Sequence, residues 1–250
     1  MWLKITIIII IVIAIITGGY FIMSKSETKN DDFPVNQNIE PDQDEPDDRV
    51  LTTKGYEITI IDGAYYVDSY LIVNKSYPIS DTWLPLNPQK AVSIETGICK
   101  DCIDQEAWEA WTKMKADAAA LGLNIYIASG YRSYQYQKGL YDSYVRKHGS
   151  QAADTFSARA GHSEHHTALA FDLNSITDAF AATTEGRWVN ENAYLYGFII
   201  RYPKDKSDET GYKYEPWHLR YVGLKLAREL YNNGDWISME DYFGITSEYS

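Results

Sequence analysis

Between Ile5 and Met23 only Thr6, Thr17, Gly18 and Gly19 interrupt an otherwise strongly apolar, charge-free run. A helix of about 19 residues, rising 1.5 Å per residue, approaches the ~30 Å hydrocarbon core of a bilayer. Lys4 gives the run a short positive leader, so a cleaved signal peptide is the rival reading. The stretch is long for such a signal, however, and no small-x-small cleavage pattern comes after it. No Cys stands directly after it, which excludes a lipoprotein anchor. We therefore read residues 1–23 as a single-pass membrane anchor, with the remainder of the chain outside the cytoplasm, or secreted if the segment is cut.

The adjoining segment cannot enter a core. Residues 24–50 hold three basic and nine acidic side chains, a balance of −6 out of −12 for the whole chain, with Pro34, Pro41 and Pro46 spaced through them. So little apolar surface cannot offset the entropy of ordering. Residues 24–55 therefore read as a solvated tether, and a flexible coil of that kind spans roughly 30 Å end to end.

The fold is left to residues 56–250, where the chain's 45% apolar content can supply a core. Glu57–Ile61 and Tyr65–Val73 read as strands joined at Asp62-Gly63. Trp108, Trp111, Met114, Ala118 and Leu121 recur at helical spacing, with Asp104 as N-cap and Gly122 beyond the end. Leu123–Ala128 reads as a strand, and Tyr136, Leu140, Tyr144 and Val145 mark a helix ending near Gly149. Strands at Ala168–Leu173, Phe198–Arg201 and Trp217–Val222 and a helix at Leu224–Tyr231 complete the pattern. Elements so unevenly spaced predict an α+β fold, not a regular βαβ repeat.

Net charge of −12 argues against nucleic acid as a partner. Two cysteines exclude a disulfide-dense scaffold and a four-cysteine zinc site. In Cys99-Lys100-Asp101-Cys102, the acidic neighbours disfavour a reactive thiolate. In an exported domain a local disulfide is the simpler expectation.

Chemistry concentrates in two short segments that contain four of the five His: Gly161–Asp172 and Tyr214–His218. Two imidazoles and one carboxylate can hold a catalytic zinc with a fourth position left for water. His165, Asp172 and His218 are such a set, and Glu215 is available beside them as a general base. Asp172 sits among Leu169, Ala170, Phe171 and Leu173, where an unpaired carboxylate is costly. A metal would satisfy it, and so would Arg132. His148, His162 and His166 read as structural or surface residues.

Ser163-x-His165-x6-Asp172 followed by Glu215-x-x-His218 resembles the zinc D-alanyl-D-alanine carboxypeptidases of the VanY type. These belong to the LAS metallopeptidases, which share the hedgehog-like fold. Further matching blocks are Ser129-Gly130-Tyr131-Arg132-Ser133 with Gln137, Tyr196-Gly197-Phe198, Arg201-Tyr202-Pro203 and Thr210-Gly211-Tyr212. Together they run from Asp68 to Tyr242, some 70% of the chain. The resemblance implies a single α+β peptidase domain with His165, Asp172 and His218 as zinc ligands and Glu215 as catalytic base. It further implies that Arg132 holds the substrate's carbonyl oxygen or terminal carboxylate, and that Ser129, Gln137, Ser163, Tyr202 and Trp217 line a peptide pocket. One departure stands out: Ala168 occupies a position where the family usually has Gly. If that backbone needs a positive φ, Ala costs about 1 kcal/mol but removes no functional group.

The implied activity is removal of the C-terminal D-alanine from peptidoglycan stem peptides. L,D-carboxypeptidase trimming of tetrapeptide stems is the alternative within the family, and a non-catalytic zinc-containing binding module is the alternative outside catalysis. A penicillin-type serine enzyme is excluded. Its Ser-x-x-Lys letters occur only at Ser26–Lys29, within the tether, where no pocket can form. A non-haem iron oxygenase shares the two-His-one-carboxylate set but would need a cytosolic co-substrate.

Overall fold

A computed structural model describes residues 49–249. The anchor expected over residues 1–23 and residues 24–48 of the tether lie outside the described residues. Among those described, no helix is long and apolar enough to cross a membrane.

The chain first forms a four-stranded antiparallel meander from Val50–Leu51, Glu57–Ile61, Ala64–Val67 and Tyr70–Ile72. Residues 50–55, grouped with the tether on composition, are thus folded. Val50 and Leu51 pair with Ile58 and Glu57, and Thr53 bonds to Gly244 through both its amide and its hydroxyl. Asp62 and Gly63 both have positive φ, the geometry that a tight two-residue hairpin requires. The stretch Tyr65–Val73 is two strands rather than one, because Asp68 and Ser69 also adopt positive φ and turn the chain back.

The second sheet carries the site. Its order is Ile127–Ser129, Ala170–Leu173, His218–Tyr221, Phe198–Ile200, with neighbours antiparallel. Register pairs Leu219 with both Phe171 and Ile200, and Phe198 with Tyr221. One face therefore presents Phe171, Leu173, Phe198, Ile200 and Leu219 to the core. The helix Gln105–Ala120 packs there, with Trp111 edge-on to Phe171 at 5.3 Å. Its N-cap is Asp104, whose carboxylate accepts from the amides of Glu106 and Ala107. Opposite faces of these strands are left for polar side chains, and alternation delivers Asp172, His218 and Arg220 to that side.

Several short elements escaped the sequence reading. The strand Ile98–Cys99 pairs with Tyr131–Arg132, and the helices Thr184–Asn192 and Met239–Phe243 are capped by Thr183 and Ser238. The strand expected over Leu123–Ala128 is confined to Ile127–Ser129. The helix Tyr134–His148 starts at the Ser133 cap and stops at Gly149, as its pattern requires.

Candidate active site

Asp172 and His218 are register partners on adjacent strands, so their side chains leave the sheet side by side. His218 Nδ1 lies 3.2 Å from Asp172 Oδ1. His165 comes from the one-turn 3-10 helix Glu164–Thr167, which precedes the Asp172 strand. Its Nε2 lies 3.3 Å from Asp172 Oδ2. Ala168 closes that turn with φ 61° and ψ 4°, the left-handed conformation that the Gly-to-Ala departure made an issue. Ala168 adopts this conformation with its Cβ in place.

The three residues fit a divalent metal. One ligand atom from each of the three lies within 4.8 Å of the others, a spacing that a small rearrangement brings to zinc coordination, whose N and O donors stand about 2.0–2.1 Å from the ion. Asp172 Oδ1 is buried without a hydrogen-bond partner, a costly state that coordination would relieve. His165 Nδ1 donates to the Gly130 carbonyl at 2.7 Å, which leaves the lone pair on Nε2 facing the site. Burial, reinforced by the nearby Arg132 guanidinium, lowers His165 to about 4 and keeps it neutral. Asp172 is ionised: burial opposes its charge, but His165, His218 and Arg132 outweigh it and hold the carboxyl well below the usual range.

Glu215 lies in the turn before the His218 strand, fixed by its amide bonding to Tyr202 O and by its carbonyl accepting from His218 N. Its carboxylate is 3.8 Å from His218 Nδ1. Burial first, then repulsion from Asp172, pushes it up to about 7 against the pull of His218 and Lys213. A carboxyl poised there can take and return a proton at neutral pH.

Arg132 donates from Nη2 to Asp172 Oδ2 at 2.7 Å, which satisfies that oxygen and leaves Oδ1 as the one a metal could take. Its Nε and Nη2 also donate to Ser129 Oγ, at 3.1 and 2.9 Å. Ser129 therefore orients Arg132 and does not line the cavity. Gln137, Ser163, Tyr202 and Trp217 do line it, with Arg132, Glu215 and the three candidate ligands. Gln137 donates from Nε2 to Ala158 O at 2.7 Å, and its Oε1 is buried without a partner. Tyr202 packs its ring against His218 at 4.9 Å. His162 and His166 are held outside the cavity by the carbonyls of Asn74 and Trp83.

The sequence reading missed the charges behind His218. Its Nε2 faces Glu164 Oε2 at 3.4 Å. Glu164 Oε1 accepts from Arg201 and Arg220, each at 2.8 Å, and Arg201 forms a bidentate pair with Glu240 at 2.8 and 2.6 Å. Burial opposes the Glu164 charge, but the two guanidinium groups overcome it and keep the carboxyl ionised. Burial opposes a charge on His218, but hydrogen bonding to Asp172 and Glu164 outweighs it and pushes the ring up to about 9, so without a metal it is protonated. On metal binding Nδ1 would give up its proton, while the Glu164 acceptor keeps the other on Nε2. One signal was available: Arg220 follows His218 by two positions in a strand and must share its face.

Residues 100–224 match the model of the VanY D-alanyl-D-alanine carboxypeptidase family. YodJ of Bacillus subtilis (strain 168) is 35% identical over 91% of each chain. This chain belongs to the VanY carboxypeptidase family. Among solved structures, the LdcB LD-carboxypeptidase is 38% identical, with a TM-score of 0.64 over 77% of this chain and 95% of that one. A VanY D,D-pentapeptidase variant solved in complex with Zn(II) is 32% identical, with a TM-score of 0.51 over 65% of this chain and 99% of that one. The mixed α/β fold is thus that of the LAS peptidases.

Proposed function

We propose that this protein is a zinc-dependent D,D-carboxypeptidase that removes the C-terminal D-alanine from peptidoglycan stem peptides. In this reading the N-terminal span anchors it and the catalytic domain works outside the membrane. The observation that carries the proposal is the placement of Glu215, a buried carboxyl 3.8 Å from His218 Nδ1 and beside the His165–Asp172–His218 cluster. A purely binding module has no use for a buried proton acceptor beside a metal site.

His165, Asp172 and His218 would hold the zinc, which when bound supplies a Lewis acid and lowers the pKa of water toward ~7. Glu215 accepts the proton of the attacking water and passes it to the leaving amine. Arg132 Nη1 makes no hydrogen bond among the described residues and is left to face the developing oxyanion or the substrate carboxylate. The free Oε1 of Gln137 can accept a substrate N–H. Tyr202 and Trp217 wall the site with buried rings, which strengthens these charge interactions by excluding water.

L,D cleavage is the second reading, favoured by the fuller overlap with the LdcB LD-carboxypeptidase. Defined penta- and tetra-muropeptides incubated with the zinc-loaded protein and analysed by mass spectrometry decide between them. Loss of one alanine from the pentapeptide alone is the expected result. Loss from the tetrapeptide moves the assignment to L,D, and loss from neither favours a binding module. Activity must also vanish with a chelator and persist with penicillin; the opposite pattern refutes the metal mechanism.

A further inference from the structure

We propose that the loop closed by the Cys99–Cys102 disulfide is a positioning element for His165, holding it from both its ring and its backbone. The inference rests on His165 being a metal ligand, but not on the identity of the substrate.

The half-cystines close a four-residue loop, Cys99-Lys100-Asp101-Cys102. Two contacts connect it to His165. In the first, the Lys100 carbonyl oxygen lies only 2.1 Å from where a Cβ on Gly130 would stand, so backbone meets backbone there. The Gly130 carbonyl is the acceptor for His165 Nδ1. Flanking bonds lock the approach, since Ile98 and Cys99 pair with Arg132 and Tyr131 and Ser133 N donates to Gly97 O at 2.7 Å.

In the second contact, Cys102 packs with Tyr131 and Ala168 in one buried cluster. Two residues on, Asp104 N donates to Ala168 O at 2.9 Å, and Ala168 N in turn reaches His165 O at 3.5 Å. The ring of His165 is thus oriented by Gly130, which the loop's backbone meets, and its backbone by Ala168, which is braced by Cys102 at the loop's end and by Asp104 just beyond it. Lys100 and Asp101 are charged, and Gln89 and Lys90 bond to the Asp101 carbonyl and carboxylate. Covalent closure ties the two ends of the loop to each other and limits the freedom that remains.

The loop acts through the tautomer. While Gly130 O is in place, the proton stays on Nδ1 and the Nε2 lone pair faces Asp172. If the carbonyl drifts, His165 samples both tautomers and binds metal less tightly, and outer-shell losses of this kind typically weaken metal binding about 10–100-fold.

The test replaces both half-cystines, Cys99→Ala with Cys102→Ala, in the full chain. Zinc affinity is read by competition with a fluorescent chelator, and the His165 tautomer by ¹⁵N-imidazole NMR of the metal-free protein. We expect about 10-fold weaker zinc binding, a single Nδ1–H tautomer in the parent and a mixture in the variant. Turnover should fall at limiting zinc and recover at saturating zinc. Neither zinc affinity nor tautomer needs a substrate, so failure here is distinct from failure of the hydrolase assignment. As a second route, the parent is reduced with a phosphine and its thiols are capped with iodoacetamide. That treatment should reproduce the loss of affinity and leave the double variant unchanged. Unaltered affinity and tautomer in a folded variant overturn the proposal. So does global unfolding by both routes, which would make the disulfide a fold staple and not a positioning element.

Discussion

Replacing Glu215 with Gln separates the chemical value of this carboxyl from its cost to the fold. Burial, aided by Asp172, pushes the group from an ordinary 4.5 up to about 7 in the folded protein. In the unfolded chain it ionises near its ordinary value. The folded state therefore binds this proton more tightly. The group's contribution to stability is fully present below about pH 4.5 and is lost as pH rises through 7. Between those values the cost accumulates at about 1.4 kcal/mol per pH unit, reaching about 3 kcal/mol at pH 8.5. Gln has nearly the same shape and never ionises, so it escapes this cost. In urea denaturation of the metal-free proteins, Glu215→Gln should exceed the parent by about 3 kcal/mol at pH 8.5 and match it near pH 4. With zinc restored, the same variant should lose about 10²–10⁴-fold in turnover, the usual value of a general base. A stability gap that does not change with pH, or a parent that is the more stable at pH 8.5, would refute the reasoning.

Two further substitutions test the frame of the site. Glu164→Ala leaves Arg201 and Arg220 buried beside a missing carboxylate and should cost about 3–5 kcal/mol in urea melts; a cost below about 1 kcal/mol would show that the network is solvated. Ala168→Val forces a β-branched side chain into left-handed backbone at a fully buried position. It should lower stability by about 1–3 kcal/mol and weaken zinc binding measured by chelator competition; an unchanged melt would mean that the turn relaxes freely.

The candidate site was legible to the extent that its parts are local in sequence. Ser163, His165 and Asp172 fall in one segment, and Glu215, Trp217 and His218 in another. The cap at Asp104 and the hairpin at Asp62-Gly63 were equally visible, because caps and tight turns depend on a few neighbouring residues. Asp68-Ser69 was missed because it contains no Gly, and the two-residue strand at Ile98–Cys99 because it is too short to show a period.

By itself the sequence determined which groups are available to hold a metal and move a proton, since those depend on residue type and near spacing. It also flagged the Ala168 backbone, because the need for positive φ is a local steric matter. Tertiary structure decided what each group does. Ser129 is spent on orienting Arg132, which simultaneously holds Asp172. Glu164, an acidic letter among histidines, is the charge behind His218 only because Arg201 and Arg220 arrive from 37 and 56 residues away. Strand register brings those partners together, and register is set by which faces of the whole sheet must be buried.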